Sequence, residues 1–221
     1  MKKTILLISL IFFLMAGSAY GQLDHGKLML GVASTYNMSI GNSDLFNMSF
    51  TKYKYSWAGE VTMSDKLFNI NVIPRTGYFI TKNLAAGLEA YYSYSRKIAG
   101  STEDKYILSR FDVVPFVRYY KFYLWSYPFV ELNVGLGALT DRFILGPYGT
   151  SGGDIETRYG IKSVGGGIGL AKPLGNRAII DIMAGYSAGA VKNKENDYVT
   201  KHGAFLLKMG FMVFFMLPES Y

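Results

Sequence analysis

FNINVIPRTGYFITKNLAAGLEAYYSYS, residues 68–95, reads at a period of two and has two sharply different faces. From Phe68 to Ile80 one face carries Phe68, Ile70, Val72, Pro74, Thr76, Tyr78 and Ile80, almost wholly apolar. The other carries Asn69, Asn71, Ile73, Arg75, Gly77 and Phe79, with a cation and two amides in mid-strand. Thr81-Lys82-Asn83 is a short polar turn, and the alternation resumes beyond it. Leu84, Ala86, Leu88, Ala90, Tyr92 and Tyr94 then face one way, and Ala85, Gly87, Glu89, Tyr91, Ser93 and Ser95 the other. Successive side chains of a strand point to opposite faces, so two alternating runs joined by a tight turn read as a β-hairpin.

The chemistry of the faces says which way the hairpin is turned. A water-soluble sheet sends its charges outward. Here the charged faces are crowded with Gly, Ser and Ala, which suits a narrow enclosed space, while the apolar face is continuous and edged with Tyr. An apolar band ending in aromatic residues is the surface a membrane strand shows to lipid. The hairpin therefore reads as one unit of a transmembrane barrel, apolar outside and polar inside.

The N-terminus reads as a targeting segment. Lys2 and Lys3 form a basic start, Ile5–Met15 is an apolar run, and Ala19-Tyr20-Gly21 supplies small residues for cleavage before Gln22. The apolar run is shorter than the ~20 residues a spanning helix needs. Residues 1–21 are thus expected to be a signal peptide and residues 22–221 a single barrel domain. Hydrophobic residues make up 50% of the chain, yet beyond the leader they come in short alternating pieces, as membrane strands do. There is no cysteine, which excludes disulfides and thiolate metal sites. The net charge of +7 is scattered without a basic run, so no nucleic-acid surface is expected.

Working outward from the hairpin gives eight strands: Lys27–Asn37, Phe68–Ile80, Leu84–Ser95, Tyr106–Tyr120, Pro128–Asp141, Thr157–Ala171, Arg177–Val191 and His202–Phe215. Ser39–Lys66 reads as a long polar connection whose own Tyr/Lys alternation at Lys52–Tyr55 is compatible with strands that extend above the membrane. Glycines 160, 165, 166, 167 and 169 blur the faces of the sixth strand and point to a bulge. The Val164–Gly169 run is not a nucleotide loop, since no helix and no Lys-Ser/Thr follow it. Polar stretches follow strands one, three, five and seven, and tight turns follow two, four and six. This is the order of extracellular loops and periplasmic turns in an outer-membrane barrel. The expectation is an all-β, eight-stranded antiparallel up-and-down transmembrane β-barrel with both termini periplasmic. A soluble lipocalin-type barrel would place apolar residues inside and polar ones outside.

The words Thr76–Leu88 (TGYFITKNLAAGL) and Val114–Tyr120 (VPFVRYY) resemble the small outer-membrane β-barrels of Gram-negative bacteria, in the opacity-protein and outer-membrane-protein-A group. The resemblance covers about Lys27–Phe215. It implies the outer membrane as location, lipid and lipopolysaccharide as surroundings, insertion by the barrel-assembly machinery and a monomer. It is weak for activity, because the group spans adhesins, anchors and proteins of unknown role. Such chains usually end on an aromatic residue read by that machinery. Here Phe215 is followed by Met-Leu-Pro-Glu-Ser-Tyr, so the signal is Phe215 displaced or Tyr221 itself.

The inward charges are the main constellation: Arg75, Arg110, Arg118 and Lys208 against Glu89, Asp112, Glu131 and Asp181. Eight strands leave a lumen that side chains can fill, and buried charge survives only when partnered. These residues are expected to form a structural plug rather than the lining of a pore. The same carboxylates are poor catalytic pairs, since the arginines hold them ionised. A lipid A-modifying barrel enzyme would need a histidine with a nearby Ser or acid at one rim. His25 precedes the first strand, and His202 has Asp197 and Glu195 nearby but no serine in a recognisable nucleophile setting. No catalytic residue, cofactor or metal site is assigned. The expected role is non-enzymatic, with surface loops for interaction or envelope integrity and an external ligand at loop 40–65; the alternative is a small pore or transporter. Tyr92, Tyr94, Tyr119, Tyr120, Phe122, Tyr123, Trp125 and Tyr127 are expected to form interfacial girdles.

Overall fold

The computed structural model describes residues 26–37, 43–44, 47–57, 60–100, 102–123, 125–146, 154–175 and 177–216. The leader 1–21, His25 and Tyr221 lie outside the described residues. The strands are β1 (Lys27–Asn37), β2 (Ser43–Asp44), β3 (Asn47–Trp57), β4 (Glu60–Val72), β5 (Pro74–Phe79), β6 (Leu84–Ile98), β7 (Lys105–Tyr120), β8 (Tyr127–Ile144), β9 (Ile155–Leu174), β10 (Ala178–Asn193) and β11 (Val199–Met216). Antiparallel pairing runs from β1 through β11, β10, β9, β8, β7 and β6, and β5 pairs with both β6 and β1. This closes a barrel of eight staves, in which β4 and β5 are one stave interrupted at Ile73.

The alternation sorts as the composition requires. Leu132, Leu136, Ile168 and Phe205 point outward with more than half of their surface exposed, whereas Met29, Phe79, Ile179 and Met212 point inward and are buried. An exposed apolar surface running round the whole wall is far larger than a soluble monomer shows. The outward faces of Val130–Ala138 and Ala178–Ala188 thus exclude the lipocalin-type arrangement and identify a transmembrane barrel.

Three expectations are corrected. The connection Ser39–Lys66 is largely strand, as its alternation allowed, and not an open polar loop: β3 and about half of β4 lie within it, paired from Asn47↔Asn71 to Trp57↔Glu60 with one register shift between Tyr55 and Ser56. Its Tyr/Lys alternation is a strand pattern in a hairpin that no core demands. The other connections at this end are also shorter than anticipated, at 99–104, 145–154 and 194–198, because the strands continue beyond the apolar band. Finally, the sixth stave, β9, has no bulge. Its register is uninterrupted against both β8 and β10, through all its glycines. Those glycines answer a crowded lumen, not a break in the ladder.

The wall has a seam. Leu28–Val32 of β1 pair with Tyr78–Pro74 of β5, and the Ala33 N–H donates to the Ile73 carbonyl at 2.9 Å. Beyond that point β1 pairs with β2 and β4 with β3, and the two sides part. Pro74 sits at the fork and has no N–H to extend the ladder.

Candidate functional site

Lys27 pairs with Met216 at one end of the barrel, and the turns at 80–83, 121–126 and 175–177 lie at that same end. Above these turns Phe79, Tyr120, Phe129 and Phe214 form an aromatic floor across the lumen. Phe79 packs tilted against Tyr120 at 5.6 Å and edge-to-face against Phe214 at 5.9 Å, and Tyr120 packs tilted against Phe129 at 5.5 Å.

On that floor sits a six-membered charge ring. Register brings Arg75 of β5 opposite Glu89 of β6, and Arg118 of β7 opposite Glu131 of β8. Arg75 Nε donates to Glu89 Oε1 at 2.6 Å, Nη2 lies on the same oxygen, and Nη1 donates to Asp181 Oδ2 at 3.1 Å. Arg118 Nε and Nη2 donate to Glu131 Oε2 at 2.9 and 2.5 Å. Its Nη1 donates to Asp181 Oδ2 at 2.5 Å and to the Tyr120 hydroxyl at 3.1 Å. Lys208 Nζ closes the ring on Glu89 Oε2 at 2.7 Å and Glu131 Oε1 at 3.1 Å. Three cations thus meet three anions, and Arg118, Glu131 and Asp181 are wholly buried.

Buried ions persist only where partners replace water. Asp181 is shared by both arginines and Glu131 by Arg118 and Lys208, so each carboxylate spans more than one strand. The Arg118 guanidinium also lies over the Phe129 ring at 4.0 Å, which adds cation–π attraction in a dry setting. Space for the ring comes from missing side chains. A Cβ on Gly210 would stand 2.5 Å from Asp181 Oδ1 and 3.3 Å from Arg75 Nη1.

Arg110 and Asp112 are not in the ring, although the sequence groups all eight charges on the inward face. They are eight and six residues from Arg118 on β7, about 27 and 20 Å along the strand. Arg110 Nε and Nη2 donate to Asp112 Oδ2 at 2.8 and 2.5 Å, and the guanidinium covers Tyr91 at 4.4 Å. Its side chain is 34% exposed, against none for Arg118. The eight charges thus divide into a dry ring and a half-open pair nearer the loops.

Several participants were missed in the sequence. Tyr120 and Tyr127 are buried inside the barrel rather than set in a girdle, while Tyr119, Phe122, Tyr123 and Trp125 are exposed as expected. The signal was available: Tyr120 has the parity of Arg118. At the loop end Asp197 is paired with Lys192 at 2.6 Å, and the Glu195 N–H donates to Asn193 Oδ1. His202 lies opposite Gly189. Among the described residues no group of three or more His, Asp or Glu is placed to hold a metal ion.

No family model matches the chain, and no curated protein matches it. Solved structures similar in architecture include the outer membrane protein OprG from Pseudomonas aeruginosa, at 12% identity and a TM-score of 0.44, covering 91% of this chain and 100% of that one. The outer membrane protein AlkL in lipid bilayers is similar at 11% identity and a TM-score of 0.38, covering 91% and 96%. Neisserial surface protein A is similar at 16% identity and a TM-score of 0.35, covering 86% and 95%.

Proposed function

We propose that this chain is a non-enzymatic integral protein of a Gram-negative outer membrane, with its turns and both termini in the periplasm and its working surface at the loop end. The observation that carries this reading is the filled lumen. The ring of Arg75, Glu89, Arg118, Glu131, Asp181 and Lys208 lies on an aromatic floor, and its members hold one another rather than facing a channel. A solute crossing at this level would have to separate ion pairs that have no water to replace them. The ring is a structural plug, and function is left to what projects beyond it. The β3–β4 hairpin is the largest such projection, and loops and hairpins carried by a rigid scaffold are where binding residues are usually found.

Planar-bilayer recording tests the plug. The expected result is small or absent conductance from the intact protein, and large, steady, ion-selective channels would replace this reading with a pore. A chain shortened by residues 42–64 tests the working surface. If the shortened barrel assembles and envelope integrity and surface binding are unchanged, the hairpin is not that surface.

A further inference from the structure

Near the loop end, outside the lumen, the β3–β4–β6 sheet carries a cleft of about 540 Å³ lined by Phe50, Thr51, Lys52, Lys66, Leu67, Phe68, Tyr94, Arg96 and Ile98. It lies on the outer wall, since Lys66, Phe68, Tyr94 and Arg96 share the parity of the lipid-facing residues. Register arranges the lining in rows. Lys52 is opposite Lys66, which is opposite Ile98; Phe50 is opposite Phe68, which is opposite Arg96; Met48 is opposite Ile70, which is opposite Tyr94. Phe50 stacks on Phe68 at 4.7 Å and Phe68 on Tyr94 at 6.0 Å. An aromatic floor thus passes from the apolar band directly into a patch of three cations, and no lining residue is acidic.

Two features of this patch call for an anion. Lys52 and Lys66 are direct cross-strand partners on one face, and like charges so placed repel unless something negative lies between them. Arg96 Nε is buried and has no hydrogen-bond partner among the described residues. A buried donor left unpaired is costly, and a guanidinium is suited to planar, bidentate recognition of phosphate. The cations span three strands, about 10 Å from β3 to β6, which suits more than one phosphate. The aromatic side, continuous with the belt, suits acyl chains.

We propose that this cleft binds an acylated phosphoglycolipid of the outer leaflet, of the lipid A class. Its phosphates bridge Lys52, Lys66 and Arg96, and an acyl chain lies along Phe50, Phe68 and Tyr94. The inference rests on the outer-membrane orientation proposed above, which puts the loop end in that leaflet.

The test uses the full-length mature protein in detergent and measures binding of three probes: bisphosphorylated lipid A, the same glycolipid with its phosphates removed, and phosphatidylglycerol. Tight binding of the first alone is expected. The double variant Lys52→Gln/Lys66→Gln should weaken it by roughly thirtyfold. Arg96→Gln should weaken it as well, and Phe50→Ala should weaken binding while leaving the need for phosphate intact. Each variant is first shown to keep the thermal transition of the parent barrel. Equal binding of the dephosphorylated glycolipid, equal binding of phosphatidylglycerol or unchanged affinity in the cation variants would each overturn the proposal. Membrane fractionation separates the two readings. A protein found in the outer membrane that fails these assays removes this site alone, and one found elsewhere removes the location.

Discussion

Below Ile73 the barrel is closed and full, whereas above it the same strands carry a split wall and a half-open interior. In the lower half β5 bridges β6 and β1, and the space within is taken by the aromatic floor and the charge ring. In the upper half β1 turns to β2 and β4 to β3, and the inward positions include Ser93, Ser95, Gly135 and Ser163, with the Arg110–Asp112 pair among them. The difference shows where an eight-stranded wall parts. The ladder from β6 round to β11 runs through both halves, Ser93↔Arg110 and Gly135↔Ser163 included, and the wall parts at one place, between β1 and β4 above Ile73. Pro74 marks the changeover because it has no donor to offer.

The sharpest way to break the comparison is to remove one member of the ring. Arg118→Ala strands Glu131 and Asp181 in a dry site, so a loss of about 3–5 kcal/mol is expected. Glu131→Ala should behave alike, whereas Arg110→Ala, which removes a 34% exposed guanidinium but leaves the buried Asp112 carboxylate, should lose less, about 1–3 kcal/mol. Denaturant unfolding in detergent micelles, followed by the gel-mobility shift of the folded barrel, measures both. Equal losses at Arg118 and Arg110 would mean that the lower lumen is wet and the two halves are alike.

Gly210 sharpens the comparison without touching a charge. Gly210→Ala introduces a methyl group against Asp181 and Arg75, and overpacking of this kind typically costs about 1–3 kcal/mol. A methyl group at Gly160, where the nearest neighbour is the flexible end of Lys194 at 3.9 Å, should be tolerated. Melting temperatures of the two variants decide between a tight lumen and one that can yield.

The smallest effect belongs to the loops. The Asp104 carboxylate accepts the Gly146 N–H at 2.8 Å, tying 99–104 to the end of β8, and also the Thr102 hydroxyl at 2.5 Å. The two bonds, the Gly146 N–H foremost, hold this carboxyl below the ordinary aspartate value of 3.8. Because the folded value is the lower one, the tie is at full strength above the ordinary value and is lost as pH falls through the folded value. Amide exchange at Gly146, corrected for its intrinsic pH dependence, should become less protected between about pH 5 and pH 2. Asp104→Asn should remove this pH dependence while leaving the ring's stability unchanged.

The outcome at particular residues shows how far the sequence reached. Period-two alternation is a local consequence of strand geometry, so the inward face of Arg75, Glu89, Arg118, Glu131 and Asp181 could be read without knowing any neighbour. The apolar outer band, the tight turns and the eight staves follow from the same rule. Height along the barrel does not. Which cation meets which anion depends on registers added from strand to strand round the closed wall. That is why Arg110 and Arg118 share a face yet belong to different sites, and why Tyr120 proved an internal partner. The β3–β4 hairpin was half legible: the Lys52–Tyr55 alternation marks strand, but its partner and register depend on which later residues it meets, Lys52 opposite Lys66. Sequence alone determined the faces and the membrane-spanning architecture. Only the tertiary structure decided the ring, the seam and the basic cleft, since each is made by residues that closure brings together from distant strands.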